Sequence, residues 1–448
     1  AVIGASNRDY SVGNILFKNI TASGYKGRLY PVNPKHETIL DVKAYKSIED
    51  IGARVDLAII ATRPRTVPNL IEQCGRSGIK NVIIITAGFR EAGHAGAALE
   101  RKTLEIARSY GIRVLGPNCL GIIRPDLGLN ATFASVTANI GHLAMVSQSG
   151  AMCSAVLDWA KTNKVGFSSV ISLGSTADID FGEILDYLVY DHRTHYILLY
   201  IEGIRNSRRF MSALRSAARI KPIILLKAGR QAGGSAAVQL HSGMLAGSDI
   251  VFDAAVRRSG VVRVQNISQL FYASKALASK FRPLGKRLAI ITNGGGPGAM
   301  AADRAGDLNI PLAQLSPETM KTLNAKMPPT WSQSNPIDIV GDATPERYAD
   351  AILAVAQDEN VDGILVMLTP QAMTRPLKVA LGVIEVSKQT AKPLLACWMG
   401  QEQVSESRRA LEAAGIPAFG MPEAAVELYH HISTYYRNQT LLLQTPQA

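Results

Sequence analysis

The chain has 448 residues, of which 47% are hydrophobic and 6% aromatic, and it carries a formal net charge of +12. This length favours about three domains of roughly 150 residues each. No apolar run approaches the roughly 18 residues of a membrane span, and four scattered cysteines without CxxC spacing argue against a zinc site or a disulfide framework. Lys and Arg form no block dense enough for a nucleic-acid surface, so the excess charge favours anionic small ligands, with a solvated basic surface as the alternative. We expect a cytoplasmic protein that binds no membrane and no nucleic acid.

The first predicted domain, residues 1–122, has the pattern of a Rossmann-like unit. Ala1–Ser6 is a predicted strand that enters a glycine-containing turn and then an amphipathic helix, whose N-terminus is a place where anions bind. The turn is not a GxGxxG. The second strand ends in Asn33-Pro34-Lys35, where an NAD site needs an acidic residue, so we expect a ribose that carries a phosphate, as in CoA. The candidate cofactor-binding residues here are Gly4, Ser6, Gly13, Asn33 and Lys35.

Two more segments of this domain carry candidate ligand contacts. Arg63 follows a predicted strand that ends at Ala61, at the sheet edge where ligands bind, although an ordinary surface arginine fits equally well. Gly116-Pro-Asn-Cys119 resembles the Gly-Pro-Asn-Cys segment of the succinyl-CoA synthetase family, and this resemblance implies that Asn118 and Cys119 approach the pantetheine end of CoA. The alternative is a Gly-Pro turn that ends the domain with a buried cysteine.

The second predicted domain, residues 123–282, contains a Ser/Gly turn between a strand and a helix. Hydroxyl groups and free N–H groups at a helix start form an anion pocket, so Ser147, Ser149 and Gly150 are predicted to bind phosphate, with ordinary N-capping as the alternative. Glu202 stands at the end of another predicted strand, on the same sheet edge as the segment that contains His241. Capping of the following helix is the alternative role for that carboxylate.

A strand that begins at Ile223 is followed by a predicted loop of small residues in which His241 stands. Gly, Ala and Ser build no core, so this loop is predicted to approach an anion with its backbone, whereas the alternative is a flexible surface loop that carries a histidine. By letters, Gly93-His-Ala-Gly96 resembles the Gly-His-Ala-Gly of succinyl-CoA synthetase more closely than the His241 segment does. Its context differs, because His94 lies within the first domain at the start of a helix rich in Ala, Glu and Lys. We therefore interpret His94 as a solvated surface residue.

The third predicted domain, residues 287–440, repeats the design of the second. A strand that begins at Arg287 enters a glycine-rich turn and a helix of small residues, with residues 283–286 as a linker before it and residues 442–448 as the start of another. Open backbone N–H groups make the turn a candidate phosphate site that faces the same phosphate as the Ser/Gly turn. The candidate residues are Gly294, Gly295, Gly296 and Gly298.

A family resemblance joins these segments. Lys227-Ala-Gly-Arg230 followed by His241-Ser-Gly-Met-Leu-Ala-Gly-Ser-Asp249 resembles the phosphohistidine loop of NDP-forming acyl-CoA synthetases, relatives of succinyl-CoA synthetase, and the chain resembles their domains end to end. The resemblance implies an α/β fold, with a Rossmann-like CoA-binding domain followed by two flavodoxin-like doubly wound domains. It also implies an acid-thiol ligase that converts acyl-CoA and phosphate to acyl phosphate and CoA. The phosphoryl group then passes to His241, oriented by Glu202, and on to ADP.

The same resemblance implies the ligands and partners. CoA or acetyl-CoA and phosphate are the expected ligands, and no metal is expected in this chain. ADP or ATP with Mg²⁺ requires an ATP-grasp module, of which the sequence has no sign, so a partner subunit or a C-terminal region is expected to supply it. A homo- or hetero-oligomer is the expected assembly.

Two alternatives remain open. Asp178–Tyr187, Phe252–Val264 and Tyr435–Gln439 resemble the synthetase-like region of bacterial GNAT-type protein lysine acetyltransferases, which senses acyl-CoA without making it. In that case a GNAT domain belongs to the parent protein, and His241 permits catalysis without proving it. An NAD(P)-dependent Rossmann enzyme is disfavoured, because the second strand lacks the acid and the third domain has no role in such an enzyme.

Overall fold

The computed structural model describes residues 1–242, 247–278, 281–283 and 285–443. Residues 243–246 of the predicted histidine loop, and residues 444–448 of the predicted C-terminal linker, lie outside the described residues. The chain divides into two compact units, Ala1–Gln265 and Asn266–Ala448. Within the described ranges, no helix is long and apolar enough to cross a membrane.

The first unit begins with short strands, most of which are buried. They are β1 (Val2–Ile3), β2 (Pro31–Val32), β3 (Thr38–Ile39), β4 (Val42–Lys43), β5 (Ala58–Ile60), β6 (Asn81–Ile84) and β7 (Arg113–Leu115). β3 and β4 form a small antiparallel pair, while the others form a parallel sheet, the first sheet, in the order β2-β1-β5-β6-β7. Because β2 and β5 flank β1, the connections diverge there, and such a switch point is where ligands bind in open α/β sheets. The connecting helices are α1 (Val12–Ala22), α2 (Val67–Arg76) and α3 (His94–Ser109).

The second sheet also belongs to the first unit. Its strands are β8 (Gly121–Arg124), β9 (Leu129–Thr132), β10 (Asn139–Ser147), β11 (Gly166–Ser172), β12 (Tyr196–Ile201), β13 (Ile223–Lys227) and β14 (Val262–Val264). They run in the order β14-β13-β12-β10-β11-β8-β9, parallel except for the β8–β9 hairpin and its pairing with β11. The helices are α4 (Gly150–Thr162), α5 (Phe181–Tyr190), α6 (Ser207–Ala218), α7 (Ala232–Ser242) and α8 (Asp249–Arg257).

One hydrophobic core cluster contains residues from both sheets of the first unit. Leu16 and Phe17 of α1 belong to it together with Ile171 of β11 and Leu199 of β12. An ion-pair network between the sheets adds to this packing, because Arg113 of β7 pairs with Asp178 at 3.0 Å and with Glu183 at 2.5 Å. The two sheets therefore form one packed body.

The second unit contains the third sheet. Its elements are α9 (Ile267–Ala278), β15 (Leu288–Thr292), α10 (Gly295–Asp307), α11 (Pro317–Lys326), β16 (Ile337–Asp338), α12 (Pro345–Ala356), β17 (Gly363–Leu368), α13 (Pro376–Ser387), β18 (Leu394–Trp398), α14 (Ser405–Ala413), β19 (Ala418–Phe419) and α15 (Pro422–Leu443). All strands are parallel, in the order β16-β15-β17-β18-β19. α9 packs against α15, although the sequence analysis placed its residues in the second domain. The predicted α/β fold with a CoA-binding first domain and two flavodoxin-like domains is confirmed.

Candidate functional site

A cavity of about 600 Å³ opens in the first unit, and its walls come from both sheets. Thr62 and Thr86 follow β5 and β6 of the first sheet, while Ser149 and Glu202 follow β10 and β12 of the second. These side chains lie just beyond the carboxyl ends of parallel strands, where open α/β sheets bind their ligands. The apolar part of the wall includes Val12, Ile85, Leu120 and Phe133.

Gly4 and Gly13 are required by a close approach of the backbone at the β1–α1 turn. Gly4 has a φ of +94°, and a Cβ atom there would lie 2.5 Å from the Ala61 carbonyl oxygen. A Cβ atom on Gly13 would lie 1.9 Å from the Gly4 carbonyl oxygen. Ser6 is half-buried beside this turn, and its hydroxyl accepts a hydrogen bond from the Arg8 N–H at 3.0 Å. The predicted contact of these residues with a cofactor stays a prediction.

The end of β2 is organised by an amide and not by a carboxylate. The Asn33 side chain donates to the Ala5 carbonyl at 2.7 Å and accepts from the Lys35 N–H at 2.9 Å. Asn33 therefore joins β2 to the β1–α1 turn. Lys35 and Arg63 are exposed and are not among the residues that line the cavity. Their long side chains remain candidates for phosphate groups of a ligand that extends out of it.

Asn118 and Cys119 both line the cavity, with different characters. Asn118 adopts a positive φ of 55°, and its N–H donates to the Thr86 carbonyl at 3.0 Å, which anchors the turn to the end of β6. The Cys119 thiol donates to the Ile84 carbonyl at 3.4 Å, and burial raises its pKa to about 12. Because a thiol needs its thiolate form to attack, Cys119 contributes packing to the wall and no nucleophile.

The Ser/Gly turn uses its two hydroxyl groups differently. Ser147 is fully buried, and its hydroxyl donates to the Ser149 carbonyl at 2.9 Å and accepts from the Ser149 N–H at 3.0 Å. Ser149 caps α4 by accepting from the Met152 N–H at 3.2 Å. The N–H groups of the first helical turn have no intrahelical acceptor, so those of Gly150 and Ala151, which line the cavity, are available to an anion.

Glu202 is held by a residue that the sequence analysis missed, Gln148. The Gln148 side-chain oxygen accepts from the N–H groups of Glu202 at 2.6 Å and Gly203 at 3.0 Å, and its amide nitrogen donates to the Gly203 carbonyl at 2.9 Å. Glu202 is 5% exposed and lines the cavity. Gln148 thus fixes the turn that carries the carboxylate, and its only signal in the sequence was its place between two serines of the turn.

The prediction of a small-residue loop up to His241 is wrong, because these residues form the helix α7. The alanines of Ala232–Ser242 favour a helix strongly enough to outweigh Gly233 and Gly234. His241 lies in the last turn of α7, and its side chain is outside the described part of the chain. α7 packs against a short 3-10 turn at Arg90–Ala92.

The segments that flank the histidine stretch are anchored. Lys227 ends β13, donates to the Ala228 carbonyl at 3.0 Å, and has a pKa lowered by burial. Asp249 begins α8 and pairs with Arg263 of β14 at 2.5 Å, and Asp253 pairs with the same guanidinium at 3.0 Å. Both ends of the segment are therefore tied to the edge of the second sheet.

The look-alike motif around His94 has a backbone explanation. His94 is the first residue of α3 and is exposed. Gly93 precedes the helix with a φ of +84°, which favours glycine, and a Cβ atom on Gly96 would lie 1.7 Å from the Phe89 carbonyl oxygen. The two glycines are explained by the start of the helix without any ligand.

The glycine-rich turn of the second unit repeats the hydrogen bonds of the Ser/Gly turn. The Thr292 hydroxyl donates to the Gly294 carbonyl at 3.0 Å and accepts from the Gly294 N–H at 3.1 Å. Asn293 exchanges two hydrogen bonds with the Thr369 backbone, at 2.8 and 2.9 Å. Gly294 is the N-cap of α10 and offers no side chain, so the first N–H groups of α10 have no side-chain cap. The expectation that both helix starts face one phosphate stays a prediction.

The cavity contains further residues that the sequence analysis missed. Thr62 and Thr86 bind each other, since the Thr86 hydroxyl donates to the Thr62 carbonyl at 2.9 Å and accepts from its N–H at 3.2 Å. Gly174, Ser175 and Phe133 come from loops that no motif marked. Within the described ranges, no group of three or more His, Cys, Asp or Glu side chains is placed to hold a metal ion.

Family models match three stretches of the chain. Residues 1–125 match a CoA binding domain, residues 140–277 a succinyl-CoA ligase like flavodoxin domain, and residues 288–437 a ligase-CoA domain. Together with the cavity at the strand ends, these matches define a CoA-binding α/β protein of the succinyl-CoA ligase type.

Comparison with known relatives identifies the family within this type. The chain is 43% identical, over 97% of its length, to acetate–CoA ligase (ADP-forming) I of Archaeoglobus fulgidus, and it spans 62% of that protein. It is 40% identical, over 94% of its length, to the alpha subunit of acetate–CoA ligase (ADP-forming) II of Pyrococcus furiosus, of which it spans 93%. The dinucleotide-forming acetyl-coenzyme A synthetase 1 of Ca. Korarchaeum cryptofilum, solved with phosphate and ADP, superposes with a TM-score of 0.91 at 33% identity, covering 100% of this chain and 97% of that one. The chain belongs to the family of NDP-forming acyl-CoA ligases, in which it corresponds to the alpha-subunit-like region.

Proposed function

We propose that the chain is the CoA-binding and phosphoryl-carrying portion of an ADP-forming ligase that joins acetate, or another small acid, to CoA. The observation that carries the proposal is the single cavity that is bordered by Asn118 on the CoA-domain side and by Gly150 and Glu202 on the other. The proposed reaction needs a thioester, a phosphate and a carboxylate at one location, and this cavity supports that arrangement. The names of the relatives, acetate–CoA ligases that form ADP, support acetate as the acid.

The first proposed step is the phosphorolysis of the thioester. A phosphate oxygen attacks the acyl carbonyl carbon, the carbon–sulfur bond breaks, and CoA leaves as a thiolate that takes up a proton. The N–H groups of Gly150 and Ala151 at the start of α4 stabilise the phosphate, since a helix N-terminus favours negative charge. Cys119 takes no part in bond making because its thiol stays protonated.

The second proposed step transfers the phosphoryl group to His241. An unprotonated imidazole nitrogen attacks phosphorus, the bond between phosphorus and the acyl oxygen breaks, and the carboxylate of the acid leaves. Glu202 accepts a hydrogen bond from the other ring nitrogen, which fixes the tautomer and stabilises the charge that develops on the ring. The N–H groups at the start of α4 meet the charge on the equatorial phosphate oxygens. The N–H groups of Gly295 and Gly296 at the start of α10, which no side chain caps, are groups of the same kind.

The last step requires a partner. ADP or ATP with Mg²⁺ is bound by an ATP-grasp subunit or a fused C-terminal domain, and the alpha-subunit name of the Pyrococcus furiosus relative supports a separate subunit. The assembly is then a hetero-oligomer, or a homo-oligomer of the fused protein, in the cytoplasm. None of the relatives described above supports the acetyltransferase alternative with its GNAT domain.

Phosphoryl labelling tests the proposal. Mixed with a matching ATP-grasp partner and ATP labelled at its γ-phosphate, the chain is expected to acquire an acid-labile, base-stable phosphate on His241. His241→Asn should abolish the label, and His94→Asn, the matched control, should retain it. A wild-type chain that binds acetyl-CoA tightly yet never acquires the label would overturn the ligase proposal in favour of a sensor.

A second experiment tests the CoA-binding contacts. Calorimetry is expected to detect CoA or acetyl-CoA binding and little NAD binding, because β2 ends in Asn33 and Lys35 with no acid. Lys35→Ala should weaken CoA binding by about 1.5–3 kcal/mol, the range for a charged hydrogen bond. Lys102→Ala removes an exposed lysine of α3 and should leave the affinity unchanged. Equal affinity for NAD and CoA would contradict the assignment.

A further inference from the structure

Three loops that border the cavity are joined outside it by two ion pairs and a hydrogen bond. The loop after β6 contributes Thr86 to the wall, the loop after β11 contributes Ser175, and the loop after β12 contributes Glu202. A few residues further along, the loop after β6 contributes Arg90 and the loop after β12 contributes Arg205, and both arginines pair with one buried carboxylate. The loop after β11 accepts a hydrogen bond from Arg205. That carboxylate is Glu100 of α3, which does not line the cavity.

Glu100 is the centre of this cluster. Its side chain is 3% exposed, and one carboxylate oxygen, Oε1, accepts from Arg90 at 2.9 Å and from Arg205 at 3.1 Å. In the part of the chain that the structure describes, the other oxygen, Oε2, has no hydrogen-bond partner. A buried carboxylate is costly unless it is paired, so its two arginines have to stay in place for the fold to tolerate it.

The two arginines that pair with Glu100 connect it to the loops around the cavity. Arg205 stands three residues after Glu202 and also donates to the Ala177 carbonyl at 3.4 Å, two residues after Ser175. Arg90 lies in the 3-10 turn against which α7, the helix of His241, packs. One carboxylate therefore connects the three loops and the helix of the proposed phosphoryl acceptor.

The turn at Glu202 is consequently held from two sides. Gln148 binds the backbone of the turn, because its side-chain oxygen accepts hydrogen bonds from the N–H groups of Glu202 and Gly203. Arg205 holds the turn's far end, before Asn206 caps α6 by accepting from the Arg209 N–H at 3.0 Å. Gln148 and the Glu100–Arg205 pair therefore hold the same turn through separate contacts.

We propose that Glu100 is a positioning residue, which through Arg205 and Arg90 sets the Glu202 turn and the α7 contact in the geometry that phosphoryl transfer to His241 needs. The proposal rests on the proposed function. Glu100 touches no reacting atom, so its loss should slow the transfer without weakening CoA binding. Since a misplacement of about 1 Å can cost about 100-fold in rate, a tenfold or larger loss is expected.

The experiment compares label formation and CoA binding in matched variants of the chain with its ATP-grasp partner. Glu100→Gln should lower the rate of His241 labelling about tenfold or more, with the CoA dissociation constant within twofold of wild type. Asp362→Asn is the control, because it makes the same charge change in a buried ion pair of the second unit, with Arg287 at 2.9 Å. It should leave both quantities within about twofold.

Arg205→Gln keeps the proposal testable if Glu100→Gln does not fold. It removes the same contact from the loop side and should give the same loss, and Glu100→Asp, which keeps the charge, should restore part of the rate. Labelling by Arg205→Gln at the wild-type rate, or equal losses of labelling and CoA binding in Glu100→Gln, would overturn the positioning role. A wild-type chain that acquires no label would instead overturn the proposed function.

Discussion

The turns at the starts of α4 and α10 are built by the same hydrogen bonds from different residues. In each unit a buried hydroxyl, of Ser147 or Thr292, binds the residue two positions later through both its donor and its acceptor. In each unit an amide side chain, of Gln148 or Asn293, reaches the backbone beyond the neighbouring strand. Strand, turn and helix therefore repeat at the level of single contacts.

The difference between the turns lies in two positions. Where the second sheet has the N-cap Ser149, the third sheet has Gly294, and where the second has Glu202 after its neighbouring strand, the third has Thr369. The first turn is capped and stands beside the carboxylate of Glu202. The second is uncapped and lies near the carboxylate of Asp338, the last residue of β16, whose Oδ2 atom would be 3.2 Å from a Cβ atom on Gly295. In the proposed mechanism the first turn orients an imidazole, whereas the second offers backbone N–H groups that no side chain caps.

Removing the carboxylate should give the largest effect. Glu202→Gln is expected to lower His241 labelling on the order of 100-fold, because the amide fixes the ring less well and carries no charge to stabilise it. Thr369→Val changes the corresponding residue of the third sheet, keeps the backbone bonds with Asn293, and should change labelling less than about twofold. Equal losses in both variants would show that the two turns are not functionally different.

Low pH should destabilise the second unit through a buried histidine. Burial, followed by the charges of His430 and Arg304, lowers the pKa of His431 in α15 to about 3. The unfolded chain binds a proton near pH 6.5 that the folded chain binds only near pH 3, so stability is complete above pH 6.5 and is lost as the pH falls below it. The loss at pH 5 should be about 2 kcal/mol.

This loss of stability is measured by denaturant unfolding in which hydrogen exchange monitors each unit separately. His431→Phe should remove most of the pH dependence between pH 8 and pH 5 from the second unit and leave the part that comes from His430, whose pKa burial also lowers. His192→Phe changes an exposed histidine of the first unit and should leave the pH dependence of the second unit unchanged. A stability of the second unit that does not change over this range would contradict the prediction.

Ser149→Ala should convert the capped turn into an uncapped one. The loss of the bond from the Met152 N–H is expected to cost about 1 kcal/mol of stability, as for other N-cap serines. Chemical denaturation of the first unit measures it. Ser154→Ala, within the same helix, serves as the control, because the Ser154 hydroxyl donates to the Gly150 carbonyl and caps no N–H group.

Gly294→Ser makes the opposite conversion and should have the smallest effect. A Cβ atom at Gly294 would have the Pro297 Cδ atom as its nearest neighbour, at 3.6 Å, an ordinary contact, so the serine fits. A gain of a few tenths of a kcal/mol is expected, the usual difference between Ser and Gly at an N-cap. The same hydroxyl should weaken binding of inorganic phosphate at α10, and unchanged phosphate affinity would argue against an anion there.

The sequence predicted those parts of the site that follow strands. Ser149, Gly150 and Glu202 could be placed because a buried strand, a polar turn and a helix mark the carboxyl edge of a sheet. Asn118 was placed by the family resemblance, and the cavity brings it together with them. These predictions depended on short-range patterns, which one sequence contains.

The rest depended on long-range contacts. Glu100 and Arg205 are 105 positions apart, and nothing local distinguishes either from a surface charge. Antiparallel pairing of β8 with β11 was not predicted because Gly121–Arg124 is too short to be read without its partner. α7 was missed because Gly233 and Gly234 were taken as loop residues, although the neighbouring alanines determine the helix.

The helix start at Gly93 limits what a four-letter search can find. A scan for Gly-His-Ala-Gly selects His94, yet the two glycines are fixed by a positive φ and by a carbonyl oxygen 1.7 Å from where a side chain would begin. Any two residues that tolerate the first turn of α3 can stand between them. Such a pattern therefore detects a backbone shape, and a buried strand upstream does not separate the two histidines, because β6 precedes His94 as β13 precedes His241.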